Sequence, residues 1–195
     1  MTKAPTYWNE QAETLSRDQI HTMQSAGLRS LLDHVMAADT MYARRLKEAG
    51  VDPADIRTPE DFTALVPLTS KDDLRDEMQR TGQAMPHLCV PRSDIRLAGP
   101  SAGTSGSSTY QAFTAEDLDT NIEMIARLQW SGGFRPDDVL FLMTTPFAPW
   151  ANIAREAAKR IGINWIIFDD HVVGNIARYA KTIENLRPTV MHCGL

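Results

Sequence analysis

The sequence predicts an α/β protein: an N-terminal helical segment followed by a βαβαβ unit. Three observations predict it. The first part of the chain carries apolar residues at helical spacing, the second alternates short continuous apolar runs with helical stretches, and a turn rich in Gly, Ser and Thr lies near the change. With 195 residues and 43% hydrophobic content the chain can bury a core. Twenty Lys and Arg against 25 Asp and Glu leave a net charge of −5, and the basic residues are dispersed, which argues against nucleic acid as a partner. No apolar run approaches the roughly 18 residues of a membrane span, and MTKAPTYWNE lacks the apolar centre of a signal peptide. A cytoplasmic protein without a membrane partner is expected. Cys89 and Cys193 have no zinc-like spacing and read as reduced thiols with no metal site. A nucleophilic pairing of either with His34, His87, His171 or His192 is the less common alternative.

The first element runs from Ser16 to Met36, where Ile20, Met23, Leu28, Leu31, Leu32 and Val35 recur at helical spacing and Ser16 with Gln19 suggests a capping box. A second helix, Met41 to Glu48, stops at Gly50. Thr58-Pro59-Glu60-Asp61 carries a cap, a first-turn proline and acids that complement the helix dipole. Thr69 to Asp73 repeats this logic, with a hydroxyl cap placed at Thr69 and Leu74 and Met78 on one face. Gly82, Pro86 and Pro91 punctuate an irregular connection, so the helical segment is expected over 1–82 and the α/β part over 83–195. There, Ile95 to Ala98 and Tyr110 to Phe113 read as short strands around the small-residue turn. Thr114 caps a helix with Leu118, Ile122, Ile125 and Leu128 on one face. Val139 to Met143, Ile163 to Phe168 and Thr189 to Cys193 read as strands, with helices over Ala151 to Arg160 and Asn175 to Leu186 between them. Such a series builds a parallel sheet with ligands at the carboxyl ends of its strands.

The turn itself, from Ala98 to Thr109, is made almost wholly of tiny, hydroxyl-bearing or absent side chains. Glycines let successive N–H groups converge on an anion, and Ser and Thr hydroxyls add donors without bulk. A solvated hairpin is the plainer reading of the same composition. It matches neither the Walker A pattern nor G-x-G-x-x-G.

Ser101-Ala102-Gly103-Thr104-Ser105-Gly106-Ser107-Ser108-Thr109 resembles the S-S-G-T-T-G-K-P-T loop of phenylacetate-CoA ligases, a family of the adenylate-forming, acyl-CoA synthetase superfamily. Tyr42-Ala43-Arg44-Arg45-Leu46 with Ala49-Gly50 is similar to the family's Y-x-R-[RK]-x-x-x-A-G segment. The most specific match, Asp61-Phe62 followed by Val66 to Arg75, resembles D-[LF]-x-x-[LF]-P-[FL]-T-x-K-x-D-L-R. Arg135-Pro136-Asp137-Asp138-Val139 and Arg187-Pro188-Thr189-Val190 are similar to its R-P-G-D-[IV] and R-P-[TD]-[VA] strand openings.

The resemblance implies an incomplete large domain of an adenylate-forming enzyme, in which a carboxylic acid reacts with ATP and Mg2+ to an acyl-adenylate and coenzyme A then takes the acyl group. It implies nucleotide-phosphate contacts by Ser101, Gly103, Thr104, Ser105, Gly106 and Thr109, and an acyl pocket, suited to an aromatic acid, at Phe147 and Trp150. Packing of those two aromatics against the sheet edge stays open as the alternative. Ser107 stands where the family has lysine, Ser108 where it has proline and Ala102 where it has serine. Arg92, Arg96 and Lys71 are the candidate replacement cations. The resemblance assigns no catalytic residue to this chain, because the family's catalytic lysine, adenine-binding segment and hinge are expected beyond the matching part. The expected partners are a small carboxylic acid, a nucleotide, and either a second copy or a complementary C-terminal half. A non-catalytic or split half-ligase serving as an interaction module is the competing reading, and a Ser101 or Ser105 hydrolase, lacking a G-x-S-x-G elbow, ranks last.

Overall fold

The computed structural model describes residues 5–101, 108–144, 149–169 and 176–193. These fall into two compact units, one formed by Thr14–Ala112 and the other by Met1–Glu13 with Phe113–Leu195.

The Thr14–Ala112 unit is helical because its helix ends are written into the sequence. Helix α1, Glu10–Glu13, belongs to the other unit. Helix α2 spans Arg17–Ala37, and its Ser16 and Gln19 bond each other's backbone N–H reciprocally, as the sequence suggests. Thr40 opens α3, Met41–Glu48, and Gly50 takes the left-handed conformation (φ 67°) just past its end. Thr58 and Asp61 box the start of α4, Pro59–Leu65. Helix α5 spans Lys71–Thr81, and its cap is Ser70 rather than the expected Thr69. Thr69 and Ser70 each have an acid three residues on, but Asp72 pairs with Arg75 whereas Asp73 bonds the Ser70 N–H and hydroxyl, so the box closes at Ser70. Leu32, Leu46 and Ile56 form a small core, with Leu28, Met36, Val51 and Val66 packed on it.

A 3-10 turn at Arg92–Asp94 draws the Ile95 N–H to the Arg92 carbonyl, so strand β1 begins two residues later than the sequence suggests, at Leu97–Pro100. It pairs with β2, Tyr110–Phe113, in a two-stranded sheet of its own.

The second unit is the βαβαβ series. Strands β3 (Val139–Thr144), β4 (Asn164–Asp169) and β5 (Val190–Cys193) are parallel in the order β4-β3-β5. Leu140 aligns with Trp165 on one side and Val190 on the other. Central β3 reads as a continuous apolar run because it is covered on both faces: Leu140 and Phe141 are 0% exposed. Helices α6 (Ala115–Ser131), α7 (Pro149–Ile161) and α8 (Ile176–Leu186) complete the unit. Ala126, Trp130, Leu140, Leu142, Ala157, Ala158, Ile161 and Ile163 make the main core. Small alanines let α6 and α7 approach, and Gln129 Nε2 crosses to the Ala154 carbonyl at 3.1 Å.

Leu128 does not join Leu118, Ile122 and Ile125 on the inner face of α6; it is 62% exposed. At 100° per residue it sits well off the stripe that Ile122, Ala126 and Gln129 occupy. The N-terminal segment closes this unit in a way no local pattern announces. Trp8 Nε1 donates to Glu123 Oε2 at 3.1 Å, Trp130 Nε1 donates to the Pro5 carbonyl at 3.2 Å, and the two indoles lie 5.5 Å apart. Arg135 caps the stack, 4.2 Å above Trp130. Among the described residues, no helix is long and apolar enough to cross a membrane.

Candidate phosphate-loop site

Strands β1 and β2 deliver the two ends of the small-residue loop to one place. The Ser101 N–H donates to the Thr109 carbonyl at 2.8 Å, and the two hydroxyls share a hydrogen bond of 2.7 Å. Thr109 is 5% exposed and Ser101 half-buried, so the neck is a built feature rather than a chance approach. Each hydroxyl carries one donor and two acceptor positions. Whichever oxygen donates within the pair, the other keeps its own O–H for a further acceptor. Gly103, Thr104, Ser105 and Gly106, with Ala102 and Ser107, lie outside the described residues.

The three candidate cations belong to the same unit as the neck and are exposed. Arg96 directs Nη1 to the Ser93 carbonyl at 2.8 Å, Arg92 opens the 3-10 turn, and Lys71 opens α5.

The charges in the two most family-like segments bind each other. Arg45 Nη1 meets Asp73 Oδ1 at 2.9 Å and Arg45 Nη2 meets the Leu68 carbonyl at 2.8 Å, while Arg44 pairs with Glu77 and Asp39. These residues tie α3 to α5 and the loop before it. Their role is positional, and sequence reasoning saw the motifs without seeing that they interlock. The Asp73 carboxyl is held below the usual range by the Ser70 backbone N–H first, then by the Ser70 hydroxyl and Arg45.

Phe147 and His171 lie outside the described residues. Trp150 sits in the first turn of α7, beyond the carboxyl end of β3, and is 42% exposed. Its ring centroid is 5.6 Å from that of His192 on β5. It therefore packs on the edge strand and still presents an aromatic face to solvent.

Cys89 is no activated nucleophile. Burial pushes its thiol up, more than a bond with Thr40 lowers it, and its Sγ lies 3.7 Å from the His87 carbonyl rather than on an imidazole. Burial also lowers the His87 pKa, keeping the ring neutral.

The GH3 family N-terminal domain matches residues 10–143. The chain is similar to phenylacetate-coenzyme A ligases from Escherichia coli, at 32% identity over 92% of this chain and 39% of that protein, and from Thermus thermophilus, at 34% identity over 68% and 28% respectively. Its fold is similar to that of 2-hydroxyisobutyryl-CoA ligase in complex with 2-HIB-AMP and CoA, with a TM-score of 0.86 and 24% identity over 97% of this chain and 41% of that one. The chain thus spans less than half the length of the relatives it matches. It belongs to the family of the GH3 N-terminal domain, of the phenylacetate-CoA ligase type among adenylate-forming enzymes, and corresponds to an N-terminal portion of them.

Proposed function

We propose that this chain supplies the phosphate-holding loop and part of the acid pocket of an ATP-dependent carboxylic acid–CoA ligase that makes an acyl-adenylate, and that its acid is aromatic. The observation that carries the proposal is the neck: Ser101 and Thr109 pin the ends of a Gly, Ser and Thr loop between two paired strands. The residues between these anchors supply, by sequence, backbone N–H groups and hydroxyls without bulky side chains. Donors already aimed at the β- and γ-phosphates favour the charge that develops on pyrophosphate as the acid's carboxylate attacks the α-phosphorus. Ser101, Gly103, Thr104, Ser105, Gly106 and Thr109 are the proposed donors. Coenzyme A, whose thiol would displace AMP, is the proposed second substrate.

The fit to Mg2+ runs through the nucleotide. Among the described residues there is no cluster of three His, Cys, Asp or Glu side chains suited to a metal ion, and Mg2+ commonly binds through substrate phosphates with one or two carboxylates. The aromatic reading rests on Trp150, whose exposed ring stands at the carboxyl end of a parallel sheet, where such folds place ligands. A complementary C-terminal half or a second copy is the proposed partner. Among the described residues β5 has one strand neighbour, and its Met191 is 47% exposed. A cytoplasmic location remains part of the proposal.

Isothermal titration with ATP and Mg2+ tests it. The chain should bind, and a variant carrying Thr104→Ala and Ser105→Ala should bind at least about tenfold more weakly, the loss of roughly one charge-assisted bond. Absence of heat with both proteins would favour the non-catalytic module, a reading supported by Ser107 in place of the family's lysine.

A further inference from the structure

Strand β5 carries an imidazole where its place in the sheet favours an aliphatic side chain. Successive residues of the strand point to opposite faces, so Val190 and His192 share one face and Met191 takes the other. Val190 packs against the main core, and His192 lies in register with Leu142, which is 2% exposed. Polar bonds do not hold the imidazole there: among the described residues His192 makes no hydrogen bond and joins no ion pair. The contact it makes is with the indole of Trp150, at 5.6 Å between ring centroids and 33° between ring planes. That separation lies within the roughly 4.5–7 Å of aromatic rings in contact. Trp150 has few other restraints. It sits in the first turn of α7 and is 42% exposed, whereas Trp130 is 5% exposed, bonded to the Pro5 carbonyl and covered by Arg135. An exposed ring at a helix end keeps rotamer freedom that a flat neighbour on one side removes without covering the rest of the ring.

We infer that His192 is a positioning residue of the acid pocket: it holds the Trp150 indole in place, and the exposed part of that ring then selects carboxylic acids with a flat aromatic ring over saturated acids of the same size. The inference rests on the acid-pocket reading of Trp150 and adds the residue that turns its ring into a fixed wall. A planar ring gains from a ring contact beyond the area it buries, and a saturated ring gains from the area alone. That surplus reaches the ligand only where the indole is already ordered, because ordering it on binding would cancel the gain. Both residues belong to the sheet unit, so the inference needs nothing from the phosphate loop.

Side-chain NMR of the full chain tests it, with phenylacetate as the aromatic probe and cyclohexylacetate as its saturated counterpart. The Trp150 indole N–H signal, identified by its loss in Trp150→Phe, should shift saturably with phenylacetate, which should bind about threefold or more tightly than cyclohexylacetate. His192→Val suits a strand but carries no ring. It should erase that preference and increase the fast motion of the Trp150 indole in the ligand-free protein, with an unchanged circular dichroism spectrum. His192→Phe, which returns a flat ring, should restore both; a residue that merely filled the strand would be replaced equally well by valine. The inference is overturned if the preference or the order of the indole survives His192→Val in the folded protein, if His192→Phe restores neither, or if the unaltered chain binds the two acids equally. Failure of the underlying reading looks different: no saturable shift of the Trp150 signal with either acid in the unaltered chain removes Trp150 from the acid pocket, and His192 with it. Should His192→Val not fold, nuclear Overhauser contacts between the two rings and the phenylacetate preference of the unaltered chain decide, and the absence of either overturns the inference.

Discussion

The two units hold themselves together by different means. The sheet unit is a packed core: Leu140 and Phe141 are fully buried, alanines let α6 and α7 close, and the Trp8–Trp130–Arg135 stack seals the N-terminal segment. The helical unit buries few residues, leaves an apolar pocket open beside them, and relies on reciprocal helix caps and on ion pairs between neighbouring helices. Apolar burial responds little to acid or salt, whereas capping carboxylates and exposed pairs respond to both. One chain therefore carries a region sensitive to side-chain volume and a region sensitive to protonation.

The largest expected effect lies in the first of these. Leu140→Ala should cost about 3 kcal/mol, since neighbours on both sides of the central strand cannot collapse onto the gap. Urea denaturation followed by Trp fluorescence would measure it, and a loss below about 1 kcal/mol would mean that the sheet core is looser than its burial indicates. Trp8→Ala should come next, at roughly 2 kcal/mol, because it removes an aromatic contact and a hydrogen bond to the Glu123 carboxylate. Hydrogen exchange should then accelerate along α6 while the helical unit keeps its protection. In that unit, Ser70→Ala should cost about 1 kcal/mol, the usual value of a lost cap. Thr69→Ala should cost much less, and equal losses would restore Thr69 as the cap.

Acid should produce the smallest effect near neutrality and the clearest contrast below it. Glu60, Asp61 and Asp73 have carboxyls lowered chiefly by the His21 side chain, the Arg57 backbone N–H and the Ser70 backbone N–H respectively. A carboxyl lowered in the folded state adds stability that is present above its unfolded value and lost as pH falls through its folded value. Among the described residues the sheet unit has one such carboxyl, Glu123 on α6, beside a far larger apolar core, so the helical unit should lose amide protection before α6, α7 and β3 do as pH drops below the ordinary carboxylate range. Simultaneous loss of protection in both units during an acid titration would erase the proposed division.

What could be read from the sequence follows the range of the interaction behind it. Caps at Ser16, Thr58 and Thr114 and the run at Val139 to Met143 were readable because their determinants lie within four residues or a single strand. The Trp8–Glu123 bond spans 115 positions and leaves no periodic trace. The start of β1 falls two residues past Ile95 because that residue closes the 3-10 turn at Arg92–Asp94, although its β-branched side chain suits a strand equally well. At the candidate site, composition pointed to the loop, but the contact of Ser101 with Thr109 required strand pairing to bring positions eight apart together. The paired arginines Arg44 and Arg45 stood out as a motif, and only their partners on α5 and before it reveal that they hold helices in place.

The phosphate-loop proposal is tested most directly by backbone amide NMR of the whole chain titrated with ATP and Mg2+. Ligase-type phosphate binding predicts saturable shifts at the Ser101, Ser108 and Thr109 amides, reduced in the Thr104→Ala, Ser105→Ala variant, with the α3 and α5 amides unmoved. Unchanged amides at both ends of the loop under saturating nucleotide would contradict it.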